Sequence, residues 1–477
     1  MEEVLQNDND DNLFYKETIT DNVVRVEIFT NKLIEFWERN GFRNLKMPKG
    51  GYQLVKLKQD KIICQADEKE LTLEVKKELI VNSDKPHVWE KYLNGSYASK
   101  SKTNGLDTIQ EMNLNKCTPN VAYFFFKNGA LKVEKDTVSL IPYDDYDGYV
   151  LESQIIDFEI NLSQPVEQSE FDRFIINVTL KQANRYHYLT TSIGYIIHGY
   201  KDRTFSKALI LLDEELDFSG EAHGGTGKSI IGRAVAEISP TLMKDGKNLN
   251  NNNNRFFYQD ISLGHQVLYL DDVKPNFDFE HFYAITTGEM TVEEKYKASY
   301  KIPFELSPKL LISSNYMVQG SGGESDARRR IEVEIAPYYS MSYTPLDDFG
   351  RKLFDDWSDS EWNNFYLTMV GYCQKFIENG VLQTAPINLE ENKLKMATDI
   401  SFVEFCDSNI VFGENVTEIV KNKSSLYETF RTSYPVESKN VSNIQFKKWL
   451  DIWAKHRSLQ VRHFKSNSES KIKFIKS

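Results

Sequence analysis

Cysteine is scarce in this chain: Cys64, Cys117, Cys373 and Cys406 are the only four in 477 residues. They lie far apart and form no C-x-x-C pair, so they read as buried or free thiols in a reducing cytosol and argue against a zinc site. Long apolar runs are missing as well. No stretch of about 18 apolar residues occurs, so no membrane span is predicted, and the Met-Glu-Glu start does not resemble a secretory signal. Positive charge is also in deficit, with a net charge of −12. That argues against a uniformly basic nucleic-acid binder. It leaves room for a local basic channel, because salt screens distant charges. What the chain does have is length for two to four domains and abundant Phe and Tyr for their cores.

The stretch around which the chain is organised is Ser219-Gly220-Glu221-Ala222-His223-Gly224-Gly225-Thr226-Gly227-Lys228-Ser229. Glycines at 224, 225 and 227 let backbone N–H groups turn inward and cradle phosphates. Lys228 supplies a mobile positive charge, and the Ser229 hydroxyl suits Mg²⁺. A helix is expected to start here with its positive end toward the anion. Ile230, Ile231, Ala234, Val235 and Ile238 share one face of it, and Ser239-Pro240 stops it. The usual spacing G-x-x-x-x-G-K-[ST] has Gly where this chain has Ala222, so the start of the loop is expected to be shaped differently. Taken alone, the stretch also fits a Gly-rich turn with a chance Lys-Ser.

Three strands are expected to surround it. Ala208–Leu212 leads toward the loop, with Asp213–Phe218 forming a small excursion. Val267-Leu-Tyr-Leu-Asp271-Asp272 reads as a buried strand ending in two carboxylates, where ligands bind in open α/β sheets. Asp271 would hold Mg²⁺ and Asp272 would polarise an attacking water; the alternative is a strand running into an acidic turn. Lys309–Asn315 is a third strand, whose Asn315 would sense a γ-phosphate or else cap a turn. Arg328, Arg329 and Arg330 precede a strand at Ile331–Ile335 and suit either an arginine finger acting on a neighbouring subunit or a solvated patch. Between the second and third strands, Lys295, Tyr296, Lys297 and Lys301 interleave cations with aromatics, a pattern for gripping single-stranded nucleic acid or for an ordinary surface hairpin.

These motifs, in this order, resemble the superfamily-three helicases, the hexameric AAA+ motors of small DNA viruses, phages and plasmids, and most closely their phage and poxvirus-type primase-helicase branch. The matching stretches are Ala222–Ser229, Val267–Asp272, Thr291–Lys301, Lys309–Asn315 and Arg328–Arg330, with Arg329 and Arg330 fitting the family's arginine pair. The resemblance covers about residues 200–345. It implies an α/β P-loop AAA+ core with a parallel sheet, residues 222–229 holding ATP, and Ser229 with Asp271 holding Mg²⁺. It further implies catalytic roles for Lys228, Asp271, Asp272, Asn315, Arg329 and Arg330, a homo-hexamer acting on single-stranded and forked DNA, and a cytoplasmic, phage- or mobile-element-linked setting among other replication proteins. The competing classes are an AAA+ switch that remodels DNA without unwinding and a non-enzymatic DNA-binding protein with a degenerate nucleotide site.

The flanks complete the expected layout. Residues 1–20 read as an acidic flexible tail and 21–165 as an α+β N-terminal domain, with a helix over Val24–Asn40, a hairpin at 52–57 and 61–65, and a tight turn at Asn128-Gly129. Asp144, Asp145 and Asp147 read as a polar turn rather than a metal cluster. The ATPase domain spans 166–345, a helical segment 346–400 and a winged-helix-like DNA-binding domain 401–477. The end of that last domain gathers nine Lys and Arg residues between Phe446 and Ser477 against Asp451 and Glu469. No primase site is recognisable.

Overall fold

The computed structural model describes residues 13–20, 23–165, 167–216, 225–248, 256–275, 277–295, 299–320, 323–466 and 469–476. It is a mixed α/β chain with several sheets, one of them parallel. The first residues depart from expectation. β1 (Tyr15–Thr20) and β2 (Val23–Ile28) form an antiparallel hairpin, so residues 15–20 are paired strand, and the helix expected from Val24 is confined to α1 (Thr30–Arg39). The period-two run Val-Val-Arg-Val-Glu-Ile, rich in β-branched residues, fits a pleat better than a helix. α1 points Leu33 and Trp37 into the core. β3 (Phe42–Lys46), β4 (Tyr52–Lys58) and β5 (Ile62–Gln65) follow as an antiparallel meander that includes the expected hairpin. The stretch that carried no sequence signal, 66–118, supplies α2 (Glu68–Lys76, closed by an Asp67/Glu70 capping box), α3 (Pro86–Leu93), α4 (Lys100–Thr103) and β6 (Thr108–Ile109). β7 (Val121–Phe126), β8 (Gly129–Glu134) and β9 (Val138–Ile141) make a second meander. Its first turn needs Gly129, which has φ +146 and no room for a Cβ against the Ile141 carbonyl. Asp144 and Asp145 lie in a short 3-10 turn. β10 (Val150–Leu151) then returns to the first sheet, whose order is β10-β5-β4-β3-β6.

The helices α5 (Glu170–Val178) and α6 (Ala183–Ile197) lead into β11 (Ala208–Asp213), α7 (Lys228–Ile238), β12 (Thr241–Asp245) and β13 (Val267–Val273). A short helix α8 (Tyr283–Thr287) precedes the antiparallel pair β14 (Met290–Val292) and β15 (Tyr300–Ile302). β16 (Lys309–Ser314), α9 (Gly323–Ala327) and β17 (Arg330–Ile335) close the unit. The five long strands form one sheet in the order β12-β13-β16-β11-β17, every pair parallel. β11 and β16 are buried along their whole length, as strands covered on both faces must be. α5, α6 and α7 cover one face with Phe174, Ile193 and Val235; Phe277, Phe279, Met290 and Ile302 cover the other. Because β16 is inserted between β11 and β13, the tips of three strands that are far apart in sequence stand side by side at the C-terminal edge.

Beyond it lie α10 (Pro345–Phe349), the long α11 (Asp359–Asn379), α12 (Leu389–Ala397) and α13 (Ile400–Asn409). Phe365 and Tyr372 of α11 are buried with Trp357, and Trp362 is partly buried beside them. The last stretch runs β18 (Glu418–Asn422), α14 (Lys423–Ser433), α15 (Asn443–His456), β19 (Leu459–Ser466) and β20 (Glu469–Lys476), with sheet order β18-β20-β19. Phe402, Phe430, Phe446 and Trp453 hold it together.

Candidate functional site

At the C-terminal edge of the parallel sheet, β11 ends in the buried carboxylate of Asp213. Lys228, the first residue of α7, donates from Nζ to Asp213 Oδ1 at 2.5 Å, and the Thr226 hydroxyl donates to the same oxygen at 2.5 Å. The loop reaches this position through Gly225 and Gly227, whose φ angles are +111 and +105. Gly227 has a second reason to be glycine: a Cβ there would sit 2.5 Å from Phe174 Cζ. Burial pushes the Lys228 ammonium below its ordinary range, against the opposing pull of Asp213, Asp272 and Asp271. Ala222, His223 and Gly224 lie outside the described residues, as does the excursion beyond residue 216.

β13 delivers two adjacent carboxylates to this edge. In a regular strand they would point to opposite faces. Here the register with β16 shifts between Leu270 and Val273, and Asp272 takes φ +53, a conformation uncommon for a non-glycine residue. At this irregularity the two residues share Ser313, through the Asp271 carboxylate and the Asp272 backbone N–H. Asp271 Oδ1 accepts hydrogen bonds from Ser229 Oγ at 3.1 Å, Tyr269 Oη at 2.6 Å and Ser313 Oγ at 2.6 Å. Ser313 Oγ also accepts from the Asp272 backbone N–H at 2.9 Å. The Asp272 carboxylate is held on both oxygens, by Asn315 Nδ2 at 2.9 Å on Oδ1 and by Lys247 Nζ at 2.5 Å on Oδ2. Tyr269 reaches Asp271 across Gly232 of α7, where any Cβ would collide with its ring at 2.2 Å. Burial raises the Tyr269 phenol, and the hydrogen bond to Asp271 adds to the rise.

Ser229, Asp271, Asp272 and Asn315, from a helix start and two strand tips, are therefore linked through direct contacts or Ser313, and Lys228, paired with Asp213 at a third tip, lies close enough to feel both carboxylates. Asp213, as the partner of Lys228, and Lys247, Tyr269 and Ser313, as partners of the two carboxylates, also belong to this edge and are not among the residues the motifs point to. Asp213 had a signal: it directly follows the apolar run of β11 and stands at a strand tip facing the loop. Lys247 had none, because the turn that carries it follows an edge strand with no motif of its own.

The arginines divide. Arg330 is buried and spent within its own chain, on Asp326 at 2.8 Å, the Val318 and Gln319 carbonyls at 2.7 and 3.0 Å, and the ring of Phe279. Arg329 lies over Tyr283 and binds Ser325, and Arg328 is exposed. Lys301 sits on β15 and pairs with Glu289 at 3.0 Å, and Lys295 is exposed; Tyr296 and Lys297 are outside the described residues. Among the described residues, no group of three or more His, Cys, Asp or Glu side chains could hold a metal on its own. Ser229 with Asp271 nonetheless offers the hydroxyl-plus-carboxylate pair that suits Mg²⁺, which binds through one or two protein oxygens, substrate phosphates and water. No described helix is long and apolar enough to cross a membrane.

A family model described as a family of unknown function (DUF5906) matches residues 218–330, the interval from the glycine-rich loop to the arginines. No curated protein matches the chain. Among solved structures the chain is similar to the A-form apo structure of the NrS-1 C-terminal region, with 11% identity and a TM-score of 0.40, covering 93% of this chain and 99% of that one. A second structure of that region, spanning 305–718, gives 14% identity and a TM-score of 0.42, with 93% and 98% covered. Drosophila ORC bound to DNA aligns at 10% identity and a TM-score of 0.17, with 67% and 93% covered.

Proposed function

We propose that this chain is an ATP-driven DNA helicase of the superfamily-three AAA+ type, assembling as a homo-hexameric ring around single-stranded DNA. The observation that carries the proposal is the Lys228–Asp213 pair standing beside the hydrogen-bonded cluster of Ser229, Asp271, Asp272 and Asn315, at the crevice where the strand order reverses. A basic, helix-starting loop beside paired carboxylates and a polar strand tip is an arrangement for a triphosphate rather than for a neutral ligand. Residues 222–229 would wrap the phosphates, with Lys228 leaving Asp213 for the β- and γ-phosphates. Ser229 and Asp271 would hold Mg²⁺, which when bound neutralises charge on those phosphates. Asp272 would orient the attacking water, and Asn315, already bonded to it, would register the γ-phosphate. With Arg330 consumed internally, Arg329 and Arg328 remain to complete a neighbour's site.

The same proposal divides the chain into an α+β N-terminal domain, a P-loop AAA+ unit, a helical segment and a winged-helix-like DNA-binding domain. The last is supported by the succession α13, β18, α14, α15 and the β19–β20 hairpin. Exposed Lys447, Lys448, Arg462 and Lys465 lie on α15 and β19. The β14–β15 hairpin would contact single-stranded DNA through Lys295, Tyr296, Lys297 and Lys301. A forked-duplex strand-displacement assay with Mg-ATP tests the whole. Unwinding that disappears in Lys228→Ala supports it; ATP turnover without unwinding assigns a DNA-remodelling switch instead; no turnover at all leaves a DNA-binding protein with a silent nucleotide site.

A further inference from the structure

Lys247 is the member of the site that no motif predicts. It sits in the short 3-10 turn Gly246–Asn248 after β12, the edge strand beside β13. That turn is pinned. A Cβ on Gly246 would lie 2.6 Å from the Asp271 carbonyl oxygen and 2.8 Å from Val273 Cα, so only glycine lets the backbone rest on the carboxylate-bearing strand tip. The Lys247 backbone N–H is fixed to Asp245 Oδ1 at 2.8 Å. From this anchored backbone the side chain, 65% exposed, extends to Asp272 Oδ2. Its neighbour Lys244 is turned elsewhere, paired with Asp260 and lying over the Phe257 ring.

The two oxygens of Asp272 therefore separate Asn315 from Lys247, while Lys228 is buried in its pair with Asp213. Three carboxylates, Asp213, Asp271 and Asp272, surround a single buried cation. A triphosphate arriving there needs positive charge on its outer side as well, and besides Lys228, Lys247 is the described cation already in contact with these carboxylates. Resting on the proposed nucleotide-binding role of this site, we infer that Lys247 is a ligand of the terminal phosphate: it leaves Asp272 when a nucleoside triphosphate binds, bonds a γ-phosphate oxygen, and returns to Asp272 when only the diphosphate remains. The exchange makes Lys247 a discriminator between triphosphate and diphosphate. It also frees an Asp272 oxygen for the attacking water only while a γ-phosphate is present.

The test is equilibrium binding of Mg²⁺ with the β,γ-imido analogue of ATP, and separately with ADP, to the full chain, for wild type, Lys247→Met and Lys247→Arg. A charge-assisted bond to phosphate predicts that Lys247→Met weakens analogue binding about 10- to 100-fold. ADP binding should stay within about twofold, and Lys247→Arg should restore most of the loss, since it keeps the charge. Because the side chain is largely exposed, the melting temperature without nucleotide should not move. Equal weakening of both nucleotides, or no change in either, overturns the inference while leaving the nucleotide site standing. Wild-type protein that binds neither nucleotide overturns the site itself.

Discussion

Asp213→Asn separates two roles that the Lys228–Asp213 pair superimposes. In the wild type the carboxylate is the partner of Lys228, with both side chains nearly enclosed, at 5% and 7% exposure. The substitution keeps the shape and removes the charge. Breaking a buried ion pair from one side costs on the order of 3–5 kcal/mol, because it strands the remaining charge. Without nucleotide, the unit built on the parallel sheet should therefore melt lower by roughly 10 °C, taking about 2–4 °C per kcal/mol for a unit of 150–250 residues. With nucleotide the sign reverses. Wild-type ATP must take Lys228 away from Asp213, whereas the variant has no such bond to surrender. If about 3 kcal/mol of the pair is forfeited on binding, the variant should bind Mg-ATP about 100-fold more tightly. Calorimetric titration of both proteins, with melting scans with and without ATP, measures each half. ATP binding weaker than wild type would refute the reasoning, since it would mean that Asp213 supports the bound nucleotide rather than competing with it.

Four further outcomes follow from other contacts. Lys309 opens β16 with its ammonium enclosed between the Tyr195 and His198 carbonyls, both at 2.6 Å, and burial pulls it down to about 7 from 10.5. The folded pKa is depressed, so the unfolded chain binds the extra proton between these values and stability rises with pH across that window. The cost at pH 7 is about 5 kcal/mol, and Lys309→Met should gain that much on wild type in denaturant titrations as pH is lowered from 10.5 to 7. Arg330→Ala strands Asp326 and should cost roughly 3–5 kcal/mol of stability in thermal unfolding. Arg329→Ala should leave the melting temperature unchanged and lower ATP turnover only in the assembled state. Asn315→Ala should leave Mg-ATP affinity within a few-fold and reduce turnover by about 10²–10³, the range for loss of one oriented donor at a reacting centre.

The sequence disclosed the elements of this site better than it disclosed their partnerships. The helix after Lys228, the strands ending at Asp271 and Asn315, and the hairpin around Thr291–Lys301 all have local signatures: a Gly-rich start, continuous apolar runs, period-two alternation. Which strands become neighbours is a non-local matter. Nothing in Lys309–Asn315 says that it enters between β11 and β13, yet that insertion is what carries Ser313 to Asp271. The inward turn of two consecutive carboxylates depends on a bulge set by cross-strand register, and register is invisible in one strand's sequence. Three adjacent arginines look equivalent in a row; β17 begins at Arg330, and the strand's geometry buries that one alone. The misplaced helix at Val24 has a simpler cause. Its alternation and the amphipathic stretch that follows are two elements, and Phe29 divides them.

The segment from α8 to β17 ties the proposed nucleotide seam to the proposed DNA hairpin. Arg329 lies over the ring of Tyr283, and the Tyr283 hydroxyl donates to Asp326, the carboxylate that also holds Arg330. Tyr283 opens α8, whose Ile285 carbonyl accepts from the buried Lys201; three residues beyond the end of that helix begins β14. Lys201 also bonds Ser307, at the start of the run into β16, and β16 ends at the Ser313–Asn315 network. An arginine drawn toward a neighbour's γ-phosphate would have to leave the Tyr283 ring. A shift of Tyr283 would be carried toward β14 through α8, which Tyr283 opens and whose Ile285 carbonyl is held by Lys201. Coupling of this kind requires a packed element with two arrangements rather than a flexible tether. The short path from Arg329 through Tyr283 to Met290, bounded by a buried lysine on one side and a buried arginine on the other, is where such an element would have to lie.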